Sequence, residues 1–242
     1  MSSKRADLLL VERGLFASRS RAQQAIAAGL VSADGIVVGK ASALLSDDAA
    51  LLASPAHPWA SRGGLKLVAA LDAFGLDPAG LACLDIGAST GGFTDVLLSR
   101  GARKIVAIDV GRDQFDPRLK ADPRVQSLEA FDARELTAEI LGEAPEFIVC
   151  DVSFISQRLV LPVALSLAAP GAAYVGLVKP QFEVGRDHLK KGVVKNEAAL
   201  RRACDDVRSF VEVLGWTSLG LIDSPVLGGD GAREFLYAAR NG

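Results

Sequence analysis

The chain has 242 residues, with 27 basic and 29 acidic side chains, and half of its residues are apolar. This composition excludes an intrinsically disordered protein and leaves room for one large domain with a smaller one beside it. The three cysteines, Cys83, Cys150 and Cys204, are too few and too far apart to form a disulfide framework or a zinc site. We therefore expect a protein of the reducing cytoplasm that holds no metal.

Residues 159–178 carry no charged side chain, and this uncharged segment is long enough to span a bilayer. Pro162 and the Pro170-Gly171 pair interrupt it, which favours a buried helix, a turn and a buried strand over a membrane span. The apolar run at residues 8–11 is too short for a signal peptide. The sequence therefore predicts no membrane segment.

Basic residues are concentrated at the start of the chain. Residues 1–40 carry a net charge of +3, whereas the remaining residues sum to −5. The local patterns predict two helices, over 6–13 and 18–28, and three short strands, at 30–31, 36–38 and 49–53. Pro55 and Pro58 then mark a linker, because proline bars regular structure. We predict a small α+β domain over residues 1–57 and a larger domain over residues 58–242.

Helical and extended patterns alternate through the larger domain. The predicted strands cover residues 81–86, 104–109, 124–128, 146–151, 172–178, 217–223 and 232–238. The predicted helices cover residues 61–75, 92–100, 134–141, 156–168 and 197–214. Such alternation is typical of an α/β fold with a Rossmann-like, seven-stranded and mostly parallel sheet. No helix fits between the last two strands, so we expect these two to pair antiparallel.

A glycine-rich turn follows the first strand of this domain, and such a turn lets the backbone approach a ligand closely. Its third position is Ser89, where the dinucleotide fingerprint has glycine. Carboxylates beside the turn repel a pyrophosphate and attract a cation, so S-adenosylmethionine fits better than NAD. Asp109 is placed for ribose hydroxyls and Asp132 for an adenine amino group. The predicted cofactor-binding residues are Asp85, Gly87, Ala88, Ser89, Thr90, Gly91, Gly92, Phe93, Asp109, Asp132 and Asp151.

Four ionisable residues are expected near the carboxyl edge of the sheet, where this fold places its chemistry. Asp151 and Lys179 end the fourth and fifth strands, Glu234 opens the last strand, and Lys66 lies in the helix before the sheet. Burying Lys179 is costly without a partner, and both carboxylates are expected partners. The group suits methyl transfer to a ribose 2′-hydroxyl, a poor nucleophile whose proton must leave. A surface salt bridge is the simpler interpretation of Lys66 taken alone.

With these residues the larger domain resembles the FtsJ-like ribose 2′-O-methyltransferases. The turn from Leu84 to Thr94 is similar to theirs. The residues at the positions of their Lys-Asp-Lys-Glu catalytic tetrad are Lys66, Asp151, Lys179 and Glu234.

The basic head resembles the αL RNA-binding motif of a small-subunit ribosomal protein. The motif is carried by Arg13-Gly14-Leu15, Ser18-Arg19-Ser20-Arg21 and Val31-x-x-Asp34-Gly35. Together with the blocks at 61–67, 151–156 and 178–185, the two parts resemble the TlyA family, whose members are also called hemolysin A. This resemblance implies a 16S/23S rRNA cytidine 2′-O-methyltransferase that uses S-adenosylmethionine. The linker at residues 57–61 departs from the family pattern.

The resemblance also implies rRNA as the partner. Basic residues of the head are the predicted phosphate contacts, and a solvated surface is their alternative role. The segment 185–192 could form a basic lid over the substrate strand or a plain surface loop. Phe154 and Phe182 could stack on a base or pack in the core. The predicted RNA-binding residues are Arg5, Arg19, Arg21, Lys40, Arg62, Arg186, Lys190 and Lys191.

Three other functions are compatible with parts of the sequence. A membrane-active hemolysin is suggested only by the family's name, and an RNA-binding protein without catalysis would keep the same fold. A methyltransferase for a base or a small molecule is the third. Base amino methylation usually needs an Asn/Asp-Pro-Pro-aromatic turn after the fourth strand, where this chain has Asp151-Val152-Ser153-Phe154.

The choice of ribosomal subunit is a further expectation from the resemblance. TlyA-like proteins occur in a longer form, linked to both 16S and 23S rRNA, and a shorter form, linked to 23S rRNA alone. Here the first predicted helix begins near Ala6, and four residues follow the predicted last strand at Ala238. We therefore expect methylation of 23S rRNA in the 50S subunit, and not of 16S rRNA.

Overall fold

A computed structural model describes residues 2–242, and of Arg186 the backbone alone. The chain forms two compact units, one ending at Pro58 and the other beginning at Trp59. They are termed the head and the body below.

The head contains two helices and five short strands. Helix α1 spans Ala6–Glu12 and helix α2 spans Arg19–Ala27. Ser18 caps α2, because its side chain accepts from the backbone N–H of Arg21 at 3.4 Å. The strands are β1 (Ser3–Arg5), β2 (Val31–Ala33), β3 (Ile36–Val37), β4 (Leu44–Ser46) and β5 (Leu51–Ala53).

These strands form two small antiparallel sheets, a β1–β4 pair and a three-stranded sheet in the order β3-β2-β5. The two helices and the three-stranded sheet agree with the sequence prediction. The β1–β4 pair was not predicted, because strands of three residues are too short to show an alternating pattern.

The body is built around a seven-stranded sheet. Its strands are β6 (Ala82–Ile86), β7 (Lys104–Asp109), β8 (Val125–Glu129), β9 (Phe147–Cys150), β10 (Ala173–Val178), β13 (Trp216–Asp223) and β14 (Phe235–Asn241). A separate hairpin consists of β11 (Leu189–Lys190) and β12 (Val193–Val194). The helices are α3 (Gly63–Phe74), α4 (Gly92–Ser99), α5 (Pro117–Lys120), α6 (Ala138–Leu141), α7 (Gln157–Ser166), α8 (Pro180–Glu183) and α9 (Glu197–Val213).

The strand order in this sheet is β13-β14-β10-β9-β6-β7-β8. The strands from β10 to β8 are parallel, whereas β14 pairs antiparallel with both β10 and β13, as predicted. The chain proceeds from β6 to β7 on one side, while β9 lies on the other side of β6. The strand order therefore reverses between β6 and β9, and α/β sheets bind ligands outside the carboxyl ends of the strands at such a point.

Apolar side chains cover both faces of the sheet. Successive residues of β6 point to opposite faces, so Leu84 and Ile86 join one buried cluster and Cys83 joins the other. Asp85 shares the face of Cys83 and is fully buried. A buried carboxyl group in a central strand is costly unless a polar partner satisfies it.

Most predicted boundaries in the body differ from the observed ones by one or two residues, and two elements differ by more. β14 runs over Phe235–Asn241 instead of 232–238, because β10 pairs with it along its length and Asn241 N–H donates to the Ala172 carbonyl at 2.8 Å. The residues after Ala238 therefore continue the strand, and Glu234 precedes it. The predicted helix over 134–141 divides into a 3₁₀ turn and α6, because Leu136 has an extended backbone with ψ of 138°.

Among the helices of residues 2–242, none is both long and apolar enough to cross a bilayer. The uncharged segment 159–178 contributes to α7, a turn and β10, as predicted. The three cysteines are free and buried.

Candidate active site

A cavity of about 580 Å³ lies at the carboxyl ends of β6, β7 and β9, where the strand order reverses. This volume is in the range of sites for small ligands. The predicted cofactor residues that line it are Gly87, Ser89, Asp109, Asp132 and Asp151. The other predicted cofactor residues are not among the described residues that line the cavity: Asp85, Ala88, Thr90, Gly91, Gly92 and Phe93.

Glycine is required at two positions of the turn after β6. Gly87 has a φ of +81°, and a Cβ atom there would lie 2.6 Å from the backbone oxygen of Asp151. Gly91 has a φ of +89°, and a Cβ atom there would collide with Leu119. A side chain at residue 87 would push the turn away from the segment that carries Asp151, and a side chain at residue 91 would displace Leu119.

Asp109, at the end of β7, holds the turn in place. Its two carboxylate oxygens accept from the backbone N–H groups of Ser89 and Gly111, each at 2.7 Å. The side chain also lines the cavity and is partly exposed. It can therefore orient the turn and still offer oxygen lone pairs to hydroxyl groups of a ligand, and its contact with ribose hydroxyls stays a prediction.

Asp85 lies beneath the turn and is fully buried. The Thr94 hydroxyl donates to its Oδ2 at 2.6 Å, and burial raises the pKa of Asp85 to about 7. Within residues 2–242, no hydrogen bond reaches its second oxygen, Oδ1. A buried carboxyl with a free oxygen, beside a turn that glycine keeps open, fits a cofactor that carries positive charge.

Asp132 has a structural partner that the sequence did not reveal. It caps the 3₁₀ turn through Arg134 N–H at 2.9 Å and pairs with the Arg134 guanidinium at 2.5 Å, which lowers the pKa of Asp132 to about 2. Its contact with an adenine amino group stays a prediction. The sequence analysis missed several residues that line the cavity, among them Gly111, Gln114, Phe131, Arg134 and Ser153. Most of them lie in the loops that follow strands, and that position is the signal that could have identified them.

The first pair of the predicted tetrad borders the cavity. Lys179 Nζ lies 2.6 Å from Asp151 Oδ1 and donates to Ser153 Oγ at 2.8 Å. Asp151 directly follows β9 and Lys179 directly follows β10, and these neighbouring strands are parallel. Asp151 itself lines the cavity, so it joins the pair to the cavity wall.

The second pair joins Lys66 and Glu234, whose Nζ and Oε2 atoms lie 2.5 Å apart. Both side chains are buried, which excludes the surface salt bridge considered for Lys66. Val178 pairs with Phe235 across the antiparallel ladder, so Lys179, which follows β10, and Glu234, which precedes β14, lie at the same edge of the sheet. The expectation that Glu234 also partners Lys179 is not met, because the Glu234 carboxylate bonds the lysine on α3 instead.

Phe154 is the most exposed large apolar side chain near the cavity. It is 91% exposed, its φ is +65°, and its ring centre lies 5.2 Å from that of Phe182. A bulky residue in the left-handed region is strained, and such strain concentrates at functional sites. The core-packing alternative is therefore wrong for Phe154.

In the head, Asp7 organises two of the predicted RNA-binding arginines. Asp7 is fully buried, and its carboxylate accepts from Arg5 at 3.0 and 3.1 Å and from Arg19 at 2.9 Å. Gln23 Nε2 donates to it at 2.7 Å. The Arg5 guanidinium holds the pKa of Asp7 well below its usual range. The two arginine side chains remain 42% and 53% exposed, so they can face a ligand from a fixed position.

The remaining predicted RNA-binding residues lie in both units. Arg21 is partly buried, and the exposed ones are Lys40, Arg62, Lys190 and Lys191. Lys190 and Lys191 belong to the β11–β12 hairpin region, which follows α8. The side chain of Arg186 lies outside the described part of the chain.

Both units match known protein families. Residues 59–241 match the FtsJ-like methyltransferase family, and residues 4–49 match the S4 domain. The S4 match covers the two helices of the head and the strands up to β4.

Individual relatives match over most of the chain. A Mycobacterium tuberculosis protein named 16S/23S rRNA (cytidine-2'-O)-methyltransferase TlyA is 46% identical over 98% of this chain and 89% of its own length. A Campylobacter jejuni protein named 23S rRNA (cytidine-2'-O)-methyltransferase TlyA is 38% identical over 74% of this chain and 70% of its own. A solved Streptococcus thermophilus protein named for a hemolysin is 38% identical, with a TM-score of 0.79 over 100% of this chain and 89% of its own. The chain therefore belongs to the FtsJ-like methyltransferases, within the group of TlyA proteins that carry an S4 domain.

Proposed function

We propose that this protein methylates the 2′-hydroxyl of a cytidine ribose in 23S rRNA, with S-adenosylmethionine as the methyl donor. The observation that carries the proposal is the Lys179–Asp151 pair, which borders the cofactor cavity while the Lys66–Glu234 pair lies at the end of the neighbouring strand. The TlyA relatives named above support both the reaction and the rRNA substrate.

The cavity residues would hold the cofactor by charge and backbone contacts. When bound, S-adenosylmethionine supplies a methyl group activated on a positively charged sulfur. Asp151 offers negative charge to its cationic groups, Asp85 adds negative charge from beneath the turn when it is ionised, and Asp109 offers oxygens to ribose hydroxyls. The turn at Gly87 leaves room for this approach.

The four tetrad residues would prepare the hydroxyl. Lys179 can donate a hydrogen bond to the hydroxyl oxygen and hold it in line with the methyl group. Asp151 and Ser153 fix the ammonium group, so little reorganisation is needed. As the oxygen accepts the methyl group it would release its proton to water, and the two carboxylates, which balance the two ammonium groups at this edge, limit the charge imbalance that this release leaves.

Phe154 would hold the target nucleotide. Its exposed ring beside Asp151 offers a flat apolar surface, and base–aromatic stacking contributes about 1–3 kcal/mol per base. A stacked base would keep its ribose next to Lys179.

The subunit and the cellular location are also part of the proposal. Both TlyA relatives carry 23S in their names, whereas one carries 16S as well, which favours the 50S subunit as the shared substrate. A ribosomal substrate favours the cytoplasm as the location.

The direct test uses purified 30S and 50S subunits that lack the modification, incubated with methyl-labelled S-adenosylmethionine. Label in 23S rRNA at a cytidine 2′-oxygen is the expected result. Comparable label in 16S rRNA would contradict the restriction to 23S, and label on a base would contradict ribose methylation. Leakage of liposomes treated with the pure protein would favour the hemolysin alternative.

Cofactor affinity is expected to depend on pH through Asp85. Burial raises its pKa to about 7, so the side chain becomes an anion only as the pH rises past neutrality. The dissociation constant of S-adenosylmethionine, measured by calorimetry, should therefore fall between pH 6 and about pH 8. Asp85→Asn should bind more weakly and lose this dependence. An unchanged pH profile in Asp85→Asn would contradict the role.

The raised pKa of Asp85 also predicts that the stability of the fold decreases with pH, whereas cofactor affinity increases. The folded protein keeps the Asp85 proton over a pH range, from about 4 to about 7, where the unfolded chain has lost it. The free energy of unfolding should therefore decrease with pH across this range, and Asp85→Asn should remove that decrease. Urea titrations at several pH values measure it.

Asp7 is expected to strengthen RNA binding despite its negative charge. Asp7→Asn makes the head more positive, yet it frees Arg5 and Arg19 from their fixed positions. We expect roughly tenfold weaker binding to an rRNA fragment, because each charge-assisted hydrogen bond that depends on this geometry contributes about 1.5–3 kcal/mol.

Glu12→Gln is the matched control, since it changes the charge equally at an exposed position paired with Lys4. It should leave the affinity unchanged or slightly higher. Arg19→Gln keeps the Arg5–Asp7 pair and serves as a second variant if Asp7→Asn lowers the melting temperature. Tighter binding by a folded Asp7→Asn protein would show that charge alone governs the contact.

A further inference from the structure

We infer that Glu183 is a positioning residue that fastens the segment carrying Lys179 to the segment carrying Asp151. The inference rests on the proposed function, because it concerns how the Lys179–Asp151 pair of that site is held. Glu183 was not among the residues singled out from the sequence.

Glu183 ends the short helix α8, which begins directly after Lys179. The side chain is only 7% exposed. Its Oε1 accepts from the backbone N–H of Gln157 at 2.9 Å, and its Oε2 accepts from the Ser156 hydroxyl at 2.5 Å. Gln157 is the first residue of α7, so the carboxylate of one segment caps the helix that follows the other.

Arg158 adds two contacts to the same junction. Its Nε lies 3.6 Å from Glu183 Oε2, and its Nη2 donates to the backbone oxygen of Glu183 at 3.2 Å. The positive end of α7 and the Arg158 guanidinium thus both face one buried carboxylate. These partners stabilise the anion at a position where burial alone would disfavour it.

A second connection lies one layer deeper, between α7 and β10. Gln157 Nε2 donates to the Leu177 carbonyl at 2.7 Å, and its Oε1 accepts from the buried Tyr174 hydroxyl. A Cβ atom at residue 176 would overlap these two side chains, so glycine is needed there. The contacts of Glu183 therefore lie next to α7 and β10, which these hydrogen bonds already connect.

The consequence concerns the loop between β9 and α7. This loop, residues 151–156, carries Asp151 and Ser153, the two partners of Lys179. Its far end is held at Ser156 by Glu183, which stands four residues after Lys179. This contact adds to the parallel pairing of β9 and β10 and helps to hold Lys179 Nζ 2.6 Å from Asp151 Oδ1.

Glu183→Gln tests this role with little change in shape. The amide cannot supply two acceptor oxygens, so the segments should separate slightly while the fold is kept. Misplacement of a reacting group by about 1 Å can cost on the order of 10²-fold. We expect kcat for 2′-O-methylation to fall about 10–100-fold, with the dissociation constant of S-adenosylmethionine within about twofold of wild type. Exposed Glu212→Gln is the matched control and should leave both values unchanged.

Two further readouts separate positioning from a general loss of stability. If Glu183 acts through Lys179, adding Glu183→Gln to Lys179→Ala should cause no further loss of activity. The pH profile of kcat should also change. Burial raises the pKa of Glu183, Asp206 on α9 adds to this, and Ser156, Gln157 and Arg158 on the α7 side oppose it. Wild-type kcat should fall on the acid side as this carboxylate is protonated, and Glu183→Gln should lack that limb.

Several outcomes would overturn the inference. A folded Glu183→Gln protein with wild-type kcat would do so, and so would an additive loss in the double variant. If Glu183→Gln does not fold, Ser156→Ala removes one of the same hydrogen bonds. It must then lower kcat without weakening the binding of S-adenosylmethionine. A wild-type protein that makes no 2′-O-methyl product would instead refute the proposed function.

Discussion

Replacing Lys179 with alanine is expected to reduce methyl transfer by ~10²–10⁴-fold, the usual cost of losing an oriented proton-handling group. Lys179 Nζ contacts both Asp151 and Ser153 and stands at the end of β10. Cofactor binding should change little, because Lys179 is not among the described lining residues of the cavity.

The fold should also survive this change. The Asp151 side chain is 21% exposed, so water can hydrate its carboxylate once the lysine is gone. The measurements are single-turnover transfer of labelled methyl groups, calorimetry with S-adenosylmethionine, and thermal melting. Lys120→Ala, at a lysine that ends α5 and is 58% exposed, is the control and should be fully active. Activity of Lys179→Ala within threefold of wild type would remove Lys179 from the mechanism.

Deleting residues 1–58 is expected to leave a folded body that binds the cofactor but methylates ribosomal RNA poorly. The buried clusters on both faces of the sheet consist of body residues alone, so the body keeps its core. The arginines fixed by Asp7 leave with the head, and the phosphate contacts proposed for them would leave with them.

The salt dependence of binding distinguishes this loss from a damaged active site. Each phosphate contact contributes about −0.7 to −0.9 to the slope of log affinity against log salt. The full chain should therefore show a steep slope and the truncated chain a shallower one. Calorimetry with S-adenosylmethionine on the truncated chain controls for the integrity of the body. Two results would refute the assignment of RNA binding to the head and of catalysis to the body. One is a truncated enzyme as active as the full chain, and the other is a full chain whose affinity for ribosomal RNA does not change with salt.

The sequence analysis was most successful where residues are adjacent along the chain. The turn from Gly87 to Phe93, the two helices of the head and the antiparallel end of the sheet follow from local patterns of glycine, caps and alternating apolar residues. It was less successful for the last strand and for the helix over 134–141, because pairing with β10 and the backbone of Leu136 decided those boundaries.

For the candidate site, the order of residue types along the chain was enough to predict that Asp151, Lys179, Glu234 and the glycine turn meet at one edge of the sheet. Which residues pair there depended on the fold: Lys66 pairs with Glu234, Lys179 with Asp151, and both Arg5 and Arg19 with Asp7. It also decided that Asp85 is buried with a raised pKa and that Glu183 joins two segments 26 residues apart. Ion pairs and burial depend on distances between segments remote in sequence, and local periodicity carries no information about those distances.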